Sequence, residues 1–135
     1  MKKSYHLPDS IKPVKLMNWL LLIEQLRLFY NELFKYGKVR CTFEDFACHF
    51  IYSRLQMNKI VWLGSNAELP YLITRLMELK IISPTKRVHS LICQNFTDKN
   101  GFPLKPNCLH VSKCRHLGTK SADIIDAIIE TVLID

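Results

Sequence analysis

The sequence predicts a mostly α-helical, small single domain with a winged-helix-like (helix-turn-helix) core, a short β element and flanking N- and C-terminal helices. Three observations predict it. Apolar residues recur at spacings of three and four through several stretches of the 135-residue chain. A short β-like run, Lys59–Leu63 with Ile-Val-Trp in its middle, separates two of those stretches. An Asn100-Gly101 pair, a strong turn signal, follows the third central helix. A chain of this length suits one core, and 48% hydrophobic against 23% charged residues is an ordinary globular balance that excludes global disorder.

Residues 1–15 carry Lys2, Lys3, Lys12 and Lys15 with two prolines and no periodicity, and read as a basic, loosely ordered arm. The single helical domain then spans 16–135. From Leu16 to Tyr36 the pattern is helical, with Trp19, Leu22, Ile23, Leu26, Phe29, Tyr30, Leu33 and Phe34 on one side and Gly37 as the stop. Leu21 and Leu28 lie one heptad apart among the polar residues of that helix. Either the arm or the final helix covers them, or they form a homodimer seam.

Thr42 with Asp45 makes a capping-box-like start for a second helix, which carries Phe43, Phe46, Ala47, Phe50 and Ile51 and ends near Leu55. After the β-like run Gly64 is a break, and Ser65 with Glu68 is a second capping box. Leu69, Leu72, Ile73, Leu76 and Leu79 form the stripe of a third helix ending near Lys80, with Pro70 placed to bend its start. Ser83-Pro84-Thr85 reads as a tight connector with Thr85 as N-cap of a fourth helix, Lys86 to Thr97, whose inner face is Val88, Leu91, Ile92 and Phe96. Residues 102–107 read as loop and Cys108–His116 as a short helical piece. Gly118 precedes a last helix capped by Thr119 or Ser121, with Ile124, Ile125, Ile128, Ile129, Val132 and Leu133 as its core stripe.

Helix, strand, helix, turn, helix, hairpin turn, taken from about 42 to 105, is the order of a winged helix-turn-helix. An unrelated small helical fold can share that order. Charge adds to the first reading. The chain carries +7 with a pI near 9.3. Residues 80–120 hold eight cations (80, 86, 87, 99, 105, 113, 115 and 120) and one acid, Asp98, whereas the last thirteen residues hold four acids and no base. Clustered Lys and Arg suit duplex DNA, because counterion release supplies most sequence-independent affinity. On a helical wheel Lys86, Arg87, Ser90, Gln94 and Thr97 share one face. Arg87 can donate two bonds to guanine, Gln94 can pair with adenine, and Ser90 is small enough for close approach. Lys99 and Lys113 would contact phosphates, with Arg115 and Lys120 completing the basic segment.

Lys59-Ile60-Val61-Trp62-Leu63-Gly64-Ser65, followed by Leu69, Ile73, Leu76 and Ile81-Ile82, resembles the central segment of the RteC-type regulators of Bacteroides-group conjugative elements. Arg115, Thr119-Lys120, Asp123 and the apolar final helix are similar to that family's carboxyl-terminal end. The resemblance covers roughly residues 43–133. It implies a helix-turn-helix DNA-binding transcription regulator associated with mobile elements.

Other chemistry is weakly signalled. Cys108, His110, Cys114 and His116 are zinc-type ligands, but their spacing suits partly buried thiols and surface histidines better than a metal, so no cofactor is expected. Cys48-His49 lacks the geometry of a dyad and reads as core. Glu44 and Asp45 sit in a first helical turn, where the helix dipole favours acids. No phosphate loop, dinucleotide fingerprint, serine elbow or His-Glu-x-x-His motif occurs, so the protein is not expected to be an enzyme and no small-molecule substrate is evident. Five cysteines without a repeating spacing argue against a secreted disulfide scaffold. The longest strongly apolar run, Trp19 to Ile23, is too short for a membrane span. A reduced, cytoplasmic protein is expected. A protein-interaction or adaptor domain with a vestigial helix-turn-helix remains the alternative to DNA binding.

Overall fold

The computed structural model describes residues 16–51, 58–105, 109 and 118–133. Among them the elements run α1 (Ile23–Lys35), β1 (Val39–Arg40), α2 (Phe43–Cys48), β2 (Ile60–Trp62), α3 (Glu68–Glu78), α4 (Val88–Asn95), β3 (Phe96–Thr97) and α5 (Thr119–Leu133). The molecule is thus mostly helical with one small mixed sheet, ordered β1-β2-β3. β1 pairs antiparallel with β2, and β2 pairs parallel with β3, Ile60 opposite Phe96 and Val61 opposite Thr97.

Local chemistry sets most helix ends. Thr42 Oγ1 accepts from the Asp45 amide at 3.1 Å and starts α2 as expected. α1 stops where Gly37 adopts φ +69°, while the Gly37 and Lys38 amides donate to the Phe34 and Leu33 carbonyls. That is a Schellman closure. α3 ends in the same motif, the Lys80 and Ile81 amides donating to Met77 and Leu76, but here a lysine holds φ +62°. Pro70 lies in the first turn of α3, where no amide is missed, and α3 runs unbroken through it.

The structure corrects the start of α1. Residues 16–22 are not helical: Met17 and Trp19 donate amides to the His49 and Phe50 carbonyls, and Trp19 bridges antiparallel to Ile82. Helical spacing of Trp19 and Leu22 was outweighed by burying Met17 and Trp19 against the end of α2. Trp19 stacks on Phe29 at 5.6 Å and meets Phe50 edge-on at 5.6 Å, and Phe46 and Phe50 lie 4.8 Å apart. Aromatic pairs of this kind add roughly 0.5–1.5 kcal/mol beyond their buried area. The final helix, opened by an Ala122 amide bond to the Gly118 carbonyl, buries Ile125, Ile128, Ile129 and Val132 against α1 and α3, whereas Leu133 is exposed. Gln25 donates to the Val132 carbonyl, and the Tyr71 hydroxyl donates to Asp126 at 2.8 Å. Burial, helped by that bond, raises the Tyr71 phenol above its ordinary value.

One buried polar contact joins the halves of the core. His49 Nδ1 lies 2.7 Å from Asn95 Oδ1 and His49 Nε2 lies 2.6 Å from the Asn58 carbonyl oxygen, both residues 49 and 95 being fully buried. Asn95 Nδ2 donates to the Leu91 carbonyl, so its oxygen is what it offers to His49. Thus the end of α2 is tied to the end of α4.

Candidate nucleic-acid interface

The helix expected over 86–97 is shorter. α4 begins at Val88, with Arg87 as N-cap and Lys86 before it, both exposed. Thr85 Oγ1 accepts from the Arg87 amide at 3.2 Å, so Thr85 holds the turn ahead of the helix and not its first residue. Phe96 and Thr97 leave the helix to pair with β2, and Thr97 is buried in the sheet, away from any outer helical face. Backbone pairing with β2 outweighs a last helical turn here. Ser90 and Gln94 do share a face, joined by a Gln94 Nε2 to Ser90 Oγ bond of 3.3 Å, and both are only half-exposed.

The connector between α3 and α4 is longer than a tight turn. Ile81 and Ile82 are fully buried inside it, and Ser83 is held by the Asn18 carbonyl and side-chain amide. α3 and α4 pack on each other.

The Asn100-Gly101 turn forms as its sequence requires, with Gly101 at φ +82°. It sits inside a closed loop. The Asp98 amide donates to the Phe102 carbonyl, Asp98 Oδ1 accepts from the Asn100 and Phe102 amides at 2.9 Å each, and Thr97 bridges antiparallel to Pro103. Arg40 Nη2, from β1, donates to the Lys99 carbonyl at 3.1 Å and ties the loop to the sheet. Lys99, Phe102 and Lys105 are exposed. Arg40 and Phe102 escaped the sequence reading, although an aromatic in a Gly-Phe-Pro turn between two lysines was the available signal.

Charges are distributed unevenly around this end. Glu68 pairs with Lys38 at 2.8 Å and Glu78 with Arg75 at 2.9 Å, while Asp98 accepts loop amides through Oδ1. Among the described residues, Arg40, Lys80, Lys86, Arg87, Lys99 and Lys105 have no acidic partner. Lys59 donates to the Cys93 carbonyl near the C-terminus of α4, where a cation is favoured. Lys120 is exposed near the start of α5, a helix that packs chiefly on α1 and α3. Lys113 and Arg115, the set Cys108, His110, Cys114 and His116, and the arm 1–15 lie outside the described residues.

Nucleophilic chemistry is weak here. Burial, with the Asp45 carboxylate adding, pushes the Cys41 thiol up to about 12 and leaves it protonated at neutral pH. Cys48 is buried and Cys93 half-buried. Among the described residues no His, Cys, Asp or Glu group is arranged to hold a metal, and no helix is long and apolar enough to cross a membrane. Of the two expected seam residues, Leu21 packs against the core, whereas Leu28 is exposed. No family model, curated protein or solved structure matches the chain.

Proposed function

We propose that the protein is a non-enzymatic, DNA-binding regulator that grips duplex DNA through α4 and the 98–105 loop. The α3–α4 pair would serve as the helix-turn-helix and the loop as its wing, in line with the regulators of conjugative elements that the sequence resembles. One observation supports this above the rest. Cations without acidic partners stand at both ends of α4: Lys86 and Arg87 before it, Arg40, Lys99 and Lys105 beyond it. Eight helical residues span about 12 Å, close to the width of the major groove, so both clusters can reach phosphates bordering one groove. In this reading Lys86 takes the phosphate on that side, Arg87 would read a base edge, and Ser90 would keep the helix slim for entry.

Fluorescence anisotropy with duplex DNA at two salt concentrations is the test. Binding is expected to weaken steeply with salt, Lys99→Ala lowering the salt slope by about one and Arg87→Ala costing about 1–3 kcal/mol on a preferred site. Absence of duplex binding at low salt rejects the reading.

A second reading has its own observation. Leu22, the N-cap of α1, is 68% exposed, and Ile23, Leu28 and Phe34 are exposed on that helix. Apolar exposure of this kind suits self-association or an adaptor contact through α1. Light scattering tests it: a monomer mass unchanged by Leu22→Glu with Leu28→Glu removes the homodimer.

A further inference from the structure

We infer that the 98–105 loop is a minor-groove wedge, in which Phe102 enters a base step while Lys99, Lys105 and Arg40 hold the phosphates on either side. The inference rests on the DNA-binding reading above and adds to it a deformation of the duplex.

Phe102 is 63% exposed, more than any other phenylalanine among the described residues, Phe34 following at 57%. Phe102 lies opposite Asp98 where the turn closes, with most of its ring outside the core, and its neighbours say what it fits. Lys99 and Lys105 lie three residues before and three after it, and Arg40 is brought to the same loop through the Lys99 carbonyl. The single acid in the loop, Asp98, accepts two backbone amides through Oδ1, and its one negative charge is outnumbered by the three cations Arg40, Lys99 and Lys105. What remains is an apolar ring inside a field of positive charge. Apolar wedges flanked by cations are how proteins pry open a base step from the minor groove, and aromatic rings stack on any base.

Rigidity is the second requirement, because a wedge that must first be ordered loses affinity to that ordering. The loop is closed at three levels: the Asp98 clamp on the Asn100 and Phe102 amides, the Asp98 amide to Phe102 carbonyl bond, and the Thr97–Pro103 bridge. Gly101 at φ +82° lets the chain reverse sharply enough to bring Phe102 back opposite Asp98 with its ring exposed. Phe102 is therefore presented ready for insertion.

The test uses the intact protein and a random-sequence duplex bearing end-placed donor and acceptor dyes, with a second duplex carrying 2-aminopurine. Wild type should shorten the end-to-end distance and brighten 2-aminopurine. Phe102→Ala should abolish both signals and weaken binding roughly tenfold, while Phe102→Trp restores them. A duplex with an unpaired base, already unstacked, should bind wild type more tightly than a perfect one, and Phe102→Ala should lose that preference. Phe102 is exposed, so both variants should melt like wild type. Salt-dependent duplex binding by wild type with neither bending nor unstacking, or with signals unchanged in Phe102→Ala, overturns the wedge and leaves the DNA-binding reading standing. Failure of wild type to bind either duplex at low salt removes both.

Discussion

In the turn between β2 and α3, Glu68 accepts the Ser65 amide through one oxygen and pairs with Lys38 through the other, its side chain only 3% exposed. In the turn after β3, Asp98 likewise accepts backbone amides, yet Arg40, Lys99 and Lys105 beside it have no acidic ion-pair partner among the described residues and the Phe102 ring stays largely in water. Both turns use one carboxylate to fix a chain reversal. The inner one also neutralises its cation, so it is finished as structure. The outer one fixes its backbone and leaves positive charge for something else to meet.

The largest effect expected from breaking this contrast is at Glu68. Glu68→Ala strands Lys38 in a mostly buried position and frees the Ser65 amide, and should lower unfolding free energy by about 3 kcal/mol in urea titrations. Asp98→Ala, by comparison, should lower it by about 1 kcal/mol, since the loop lies outside the core. Equal losses at the two sites would erase the distinction.

The glycines of the two turns sharpen it further. A Cβ on Gly64 would overlap Glu68 Oε1 and lie 2.9 Å from Trp62 Nε1, and neither group can retreat: Glu68 is held by two bonds and the Trp62 indole donates to the Ser65 carbonyl. Gly101 has open space around it and needs only its positive φ. Gly64→Ala should therefore cost about 2–3 kcal/mol and Gly101→Ala about 1 kcal/mol, both read from urea midpoints.

The smallest expected change has the opposite sign. Gly37 and Lys80 close α1 and α3 by the same motif, and only the first is a glycine. Lys80→Gly should raise stability by about 0.5 kcal/mol, with the melting temperature as readout. No gain would mean that the Lys80 ammonium, near the carbonyl end of α3, offsets its own backbone cost.

These turns and caps are also where the sequence was most legible. Thr42, Gly37 and Asn100-Gly101 act on neighbours within five residues, and short-range chemistry can be read from short-range order. What escaped was pairing across distance. Residues 16–22 and Phe96-Thr97 carry helical spacing, yet each forms backbone bonds with a segment far along the chain, Ile81–Ser83 and β2 respectively. β1 was missed for the same reason, since two residues have no period. For the candidate interface, Lys86 and Arg87 ahead of α4, and Lys99, were legible from charge alone. Arg40 was not, because only the sheet brings it beside the loop, and Phe102 was hidden within a segment read as plain loop.

The sheet itself has a bearing on how the protein behaves when crowded. Its two outer strands, β1 and β3, are two residues each. An unprotected edge offers amides and carbonyls on which another chain can lay down a strand. Here one edge carries the charged Arg40. The other is capped by Pro103, which bridges to Thr97 and has no amide to extend the ladder. Among the described residues, strand addition therefore finds no long, unguarded template on either side of this sheet, and a concentrated solution should stay clear of aggregates nucleated at these edges as long as the fold is intact.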